Sequence, residues 1–294
     1  MASQESKKHH FVPKLLLRPW LVNQPAGDRQ LHGYWWNPYT NSLACKTRGL
    51  DSFCCQLDLL TLRKHALGRD AIERIFFGDI DDKGAVARDA LLRSGPSALS
   101  SDTRSDFARL LMSLEARRPA IISKLRTQGP ITLRDALNND PEILREFQFR
   151  EINMRPSDFV EQKLGLDLED RALANVQALT NNRVVGERLI NAHWGLRAMK
   201  DISGSLILSD RPLIRFFGYD EPGATWLLPL TPHVAFIACN NGSALARLMR
   251  LSDDCFVKDL NRSSVSQAER FIFSIDPSHA NWIGRHIQRK ASSA

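Results

Sequence analysis

At 294 residues, with 43% hydrophobic and 25% charged residues, the chain has the composition of a globular protein able to build a core without disulfide or metal staples. Its five cysteines (Cys45, Cys54, Cys55, Cys239 and Cys255) are odd in number and lack C-x-x-C spacing, which points to reduced thiols and a cytoplasmic setting. The longest apolar-leaning run, 225–239, is broken by Pro229, Pro232 and His233 and is too short for a membrane span, and the charged first ten residues hold no apolar segment of a secretory signal.

The net charge is +7, carried by 29 arginines and 11 lysines, and the isoelectric point is about 9.3. That balance favours an anionic partner such as nucleic acid, a nucleotide or a phosphate-bearing substrate, and arginine suits bidentate phosphate contacts. Codon bias and solubility would produce the same charge. No run of five like charges forms a basic tail.

In chain order, residues 7–20 come first. Paired histidines, His9 and His10, lead into a dense apolar segment with Val12, Pro13, Leu15–Leu17, Arg18, Pro19 and Trp20. Chain ends are usually polar and disordered, so this one is expected to dock. Residues 10–60 lean towards β structure. The aromatic run Leu31–Trp36 closes on Asn37-Pro38 and precedes Leu43–Lys46, which reads as a hairpin.

Residues 69–200 read as helical. Ala71–Leu92 is expected to form two helices around an Asp79–Gly84 turn. Phe107, Leu110, Leu111 and Leu114 give the i, i+3, i+4, i+7 stripe of a helix opened by Ser101-Asp102 and divided at Pro119. Leu133–Leu137 and Pro141–Met154 are further helices, and Pro156-Ser157 opens another with Phe159, Val160 and Leu164 facing inward. Leu173–Met199 reads as one long amphipathic helical stretch. Residues 203–285 return to mixed structure: strands at Ser205–Ser209, Trp226–Leu230 and Val234–Ala238, then helices at Ala244–Leu251 and Ser264–Phe273.

Three features recur in a fixed order: His10-Phe-Val-Pro13 with Leu17-Arg18 and Trp20; Ser209-Asp210-Arg211-Pro212 after a strand; and Pro229-Leu-Thr-Pro232. Together they resemble an uncharacterised family of bacterial proteins, domain of unknown function 4238 (DUF4238). The resemblance runs over most of the chain. It extends to an acidic residue in the first helical segment, here Glu73, and to an arginine-proline element, here Arg117-Arg118-Pro119. Arg211 stands where the family often has Asn, and Pro19-Trp20 replaces a more usual polar-aromatic pair. The resemblance implies a fold and no activity.

The polar residues of these elements are the candidate site. Adjacent histidines on an extended chain point opposite ways, so only one can face a site, and the resemblance favours His10. It would act as a base or metal ligand, or simply fix the terminus. Asp210 would be its partner or a ligand, or else close an Asx-turn before proline. Glu73 would supply a second carboxylate, and Arg18 an anion clamp or a structural salt bridge. Arg117 and Arg118 read as a solvated helix face, unless one turns inward to pair with Glu73. His32, Tyr34, Trp35 and Trp36 read as core more readily than as a base-stacking platform.

The expected architecture is α+β, a single domain over 1–294, with a small sheet built from N- and C-terminal parts and a helical middle. The leading functional expectation is a phosphodiester-directed hydrolase, nuclease-like, using His10, Asp210, Glu73 and Arg18, with a divalent metal as a candidate cofactor. The alternatives are a non-catalytic nucleic-acid-binding or protein-interaction module, and a HEPN-like ribonuclease using Arg188 and His193. The latter two lie five apart, which on a helix separates them by about 140°. No phosphate-binding glycine loop is present.

Overall fold

In a computed structural model the described residues are 7–24, 27–64, 67–199 and 204–287. The N-terminal segment docks as its composition demands. Lys8–His10 is a short strand, β1. Lys14–Leu17 forms a single helical turn, α1, and Val12, Leu15–Leu17 and Trp20 are buried. The Trp20 indole donates to the Leu206 carbonyl at 3.2 Å, tying the first twenty residues to a segment 186 positions away. Burying such side chains contributes about 1.5–3 kcal/mol each, enough to order a terminus.

The expected joint sheet forms. Leu21–Asn23 (β2), Arg29–Asn37 (β3) and Ser42–Arg48 (β4) make the N-terminal meander. Antiparallel to it lie Ile272–Phe273 (β11) and then Leu208–Ser209 (β7), in the order β2-β3-β11-β7 with β4 on β3. Two further sheets extend the expectation of a single one. β1 pairs with Cys55–Leu57 (β5). His193–Ala198 (β6), Val234–Cys239 (β10), Thr225–Thr231 (β9) and Ile214–Phe216 (β8) form a four-stranded antiparallel sheet. The class is α+β.

The middle is helical with different joints. Residues 71–94 form one continuous helix with no break at Asp79–Gly84. A π-helical turn over Ile72–Phe77 runs directly into Gly78–Ser94 (α2). Gly84 permits close contact with Ser101–Ala116 (α3): a β-carbon there would meet Leu110 at 3.0 Å. The stripe of α3 is buried, and Pro119 divides it from Pro119–Thr127 (α4) as expected.

Gly129–Asn139 (α5), Pro141–Phe149 (α6) and Pro156–Gln162 (α7) follow. Phe159 and Val160 are half-buried, but Leu164 is exposed rather than inward. The stretch read as one helix over Leu173–Met199 is three elements: Leu168–Thr180 (α8), Arg183–Asn191 (α9) and strand β6. The Asn182 side chain caps α9 by accepting from Val185 N, which forces the break. Gly242–Arg250 (α10) and Asp253–Gln267 (α11) precede β11, and His279–His286 (α12) closes the described chain. One apolar core runs from Val12 through α2, α3 and α8 to Phe273. Among the described residues no helix is long and apolar enough to cross a membrane.

Candidate functional site

The two histidines part as strand alternation requires. In β1, His9 pairs with Gln56 and His10 with Cys55. His9 is fully buried, and its Nδ1 accepts from Leu60 N at 2.8 Å, so it fixes the segment. His10 faces a cavity of about 400 Å³ lined also by Lys8, Lys14, Arg18, Asp51, Glu73, Asp81 and Asp82.

Glu73 reaches this cavity from the π-helical turn. In a plain α-helix, residues 73 and 81 would stand about 80° apart. The wider turn takes up part of that rotation, and Glu73 and Asp81 come to line one wall. Glu73 Oε1 accepts the backbone N–H of His10 at 3.1 Å. Its other oxygen, Oε2, is buried with no hydrogen-bond partner, and so is His10 Nε2, whose nearest acid is Asp51 Oδ1 at 3.6 Å. Two ionisable groups lining one cavity thus each carry one buried atom without a protein hydrogen-bond partner, a state shared by six other buried side-chain atoms among the described residues.

Their proton affinities reflect the burial. Desolvation pushes the Glu73 carboxyl up to about 7, against the pull of Arg117 and the His10 amide, with Asp81 and Asp70 adding to the rise. Burial and then the Lys14 ammonium hold His10 below the ordinary imidazole range, against Asp51. Around neutrality the imidazole is neutral and the carboxyl part-protonated.

Arg117 braces this floor. It is fully buried, not on a solvated face. It donates to Asp81 from Nη1 at 3.1 Å and from Nη2 at 2.5 Å, donates to Ser113 Oγ at 2.8 Å, and stacks over Phe77 at 4.7 Å. Arg118 pairs with Glu115 and Glu269, also off the solvated face. Lys14 pairs with Asp51. Arg18 is exposed at the rim. Arg117 takes the inward alternative of the sequence reading, with Asp81 and not Glu73 as its partner, whereas Asp81, Lys14 and Asp51 were not singled out there. The eight-residue spacing of Glu73 and Asp81 is their one visible signal, since i and i+8 fall on one broad face of a helix and the π turn brings them closer.

Asp210 does not join this cavity. It is buried beside the start of β11, and its carboxylate accepts three backbone N–H groups: Glu269 at 2.8 Å, Arg270 at 2.7 Å and Phe271 at 2.9 Å. Both oxygens are occupied, so it neither orients His10 nor supplies a ligand there. Burial still raises its carboxyl, with the three amides pulling the other way. Ser209 Oγ donates to the Arg211 carbonyl. The expected Asx-turn is therefore replaced by hydrogen bonds to a distant segment, residues 269–271.

Arg188 and His193 do not meet either. Arg188 sits on α9 and pairs with Asp220 at 2.9 Å, whereas His193 opens β6 on the exposed side against Gly242. Among the described residues no three His, Cys, Asp or Glu side chains are grouped to hold a metal ion. Tyr34 is core, while Trp35 and Trp36 are half-buried.

No curated protein matches the chain, and no solved structure does. The model of a family described as a protein of unknown function (DUF4238) matches residues 8–278, nearly the whole length, and the chain belongs to that family.

Proposed function

We propose that the His10 cavity is an acid–base site that hydrolyses a phosphodiester, with His10 as general base and Glu73 as general acid. The observation that carries this reading is the pair of bare buried atoms, His10 Nε2 and Glu73 Oε2, on two groups whose environments push them towards a neutral base and a protonated acid at the same pH. His10 takes the proton of the attacking water as the new P–O bond forms. Glu73 delivers its proton to the leaving oxygen as the old P–O bond breaks. Arg18, exposed at the rim, supplies a cation for the phosphoryl oxygens. The net positive charge of the chain supports an anionic substrate, nucleic acid among them. Asp210 has no part in the chemistry.

The test is turnover of bis(p-nitrophenyl) phosphate and of single-stranded RNA and DNA oligonucleotides. It compares the full chain with His10→Ala and Glu73→Gln, the latter chosen because glutamine still accepts the His10 amide. Each variant is expected to lose about 10²- to 10⁴-fold in rate at a pH where a melting curve shows it to be folded. The rate is expected to follow a bell, with its acid limb below the ordinary imidazole range and its alkaline limb near the Glu73 value of about 7. Glu73→Gln should abolish the alkaline limb. Salt-sensitive binding of the oligonucleotides without turnover, unchanged in His10→Ala, would overturn the reading in favour of a non-catalytic binding module.

A further inference from the structure

A second cavity, of about 710 Å³ and larger than the His10 cavity, lies on the other side of the π-helical turn and belongs to no part of the site above. Its volume is within the roughly 300–1,000 Å³ of small-molecule sites. Leu62, Leu67, Ile72, Ile75, Phe76 and Leu166 form its apolar wall. Two of these are exposed, Leu67 at 60% and Ile75 at 42%. A concavity lined mainly by apolar side chains can take up the apolar part of a small ligand.

The mouth decides what that is. Its acids are already engaged. Asp79 pairs with Lys83 and Arg109, Asp167 caps α8 and pairs with Arg63, and Asp170 accepts the backbone N–H groups of Arg63 and Lys64 at 2.8 Å each. Lys64 and Arg171 are exposed beside them, and no ion pair engages either among the described residues. An apolar trough with two uncommitted cations at its mouth complements an alkyl chain ending in an anion. The three fixed carboxylates at the same mouth favour a monoanion over a doubly charged phosphate.

We propose that this cavity binds an aliphatic carboxylate, with its chain along Ile72, Ile75 and Phe76 and its head group between Lys64 and Arg171. The site is separate from the His10 cavity, although both draw on one helical turn: Ile72, Ile75 and Phe76 face this cavity while Glu73 faces the other.

The probe is dodecanoate below its micellar concentration, titrated calorimetrically into the full chain. Dodecyltrimethylammonium serves as the charge control. Saturable binding of dodecanoate at one site, with at least about tenfold weaker binding of the cation, is expected. Ala174→Trp, which fills the cavity from α8, should abolish binding. The double variant Lys64→Glu/Arg171→Glu should weaken it at least about tenfold. The charge-reversed positions are exposed, so that variant remains informative if the tryptophan disturbs packing. His10→Ala should leave the affinity unchanged, which separates this result from the fate of the phosphodiesterase reading. Equal binding of both detergent charges, undiminished binding by the charge-reversed variant, or no saturable binding would each overturn the proposal.

Discussion

Glu73 and Asp210 are both buried carboxylates that desolvation raises, and both were read from the sequence as site residues. They differ in how their oxygens are spent. Asp210 meets three backbone amides and has both oxygens engaged. Glu73 meets one amide and keeps Oε2 bare, facing a cavity that holds a second bare ionisable atom. A buried acid with its acceptors filled is a structural staple. One with an acceptor left open beside a neutral imidazole can move a proton. Burial and raised proton affinity alone would have ranked the two together.

The sharpest way to break this contrast is Asp210→Ala. It strips three part-buried backbone amides of their acceptor, at about 1–3 kcal/mol for each left unpaired and shielded from water. A loss of about 4 kcal/mol or more in urea unfolding is expected. Asp210→Asn should also be poorly tolerated, because its NH2 faces donors. A loss below about 1 kcal/mol for Asp210→Ala would show that the carboxylate is not a staple. Next comes Arg117→Met, which leaves Asp81 unpaired. Since the Asp81 side chain keeps 29% exposure, the cost should be about 3 kcal/mol, at the low end for a broken buried pair. Thermal melting reads it.

Glu73 makes the opposite prediction about stability. Its carboxyl titrates near 7 in the fold and near 4.5 when unfolded. Between those values the folded chain holds the extra proton, so stability falls as pH rises through the window. Glu73→Gln removes this dependence. The variant should gain on the parent from pH 4.5 to pH 7 by up to roughly 3 kcal/mol, and stay ahead above it. The depressed imidazole of His10 acts the other way, adding stability as pH rises through the ordinary imidazole range, but it is common to both proteins and cancels in the difference. A parent-minus-variant difference that is flat with pH would show that Glu73 is not held protonated.

The same contrast explains what the sequence made legible. The opposite facing of His9 and His10, the docked Trp20, the buried stripe of α3 and the β9–β10 hairpin all follow from local periodicity and turn residues. What escaped depends on partners far along the chain. Ser264–Phe273 reads as a helix, yet α11 stops at Gln267. Asp210 takes the amides of 269–271 from across the sheet, and Ile272 and Phe273 enter β11. His193–Ala198 continues an amphipathic pattern, yet it pairs residue by residue with β10. The π turn that draws Glu73 and Asp81 closer on their shared wall is announced by no periodicity in the sequence.

The smallest effect tests the other half of the pair. Lys14 and Asp51 act on His10 with opposite signs, the ammonium lowering its proton affinity and the carboxylate raising it. The ion pair between them lies at the surface, with Asp51 67% exposed, so breaking it should cost less than about 1 kcal/mol. Its effect on the chemistry should still be visible. Lys14→Met should move the acid limb of the phosphodiester pH–rate profile to higher pH, and Asp51→Asn should move it to lower pH. Both should leave the Glu73 limb nearly in place, because neither residue is among the main charges acting on that carboxyl. Shifts of the same sign in the two variants would mean that the acid limb belongs to a group other than His10. The imidazole would then serve, like Asp210, only to hold the fold together.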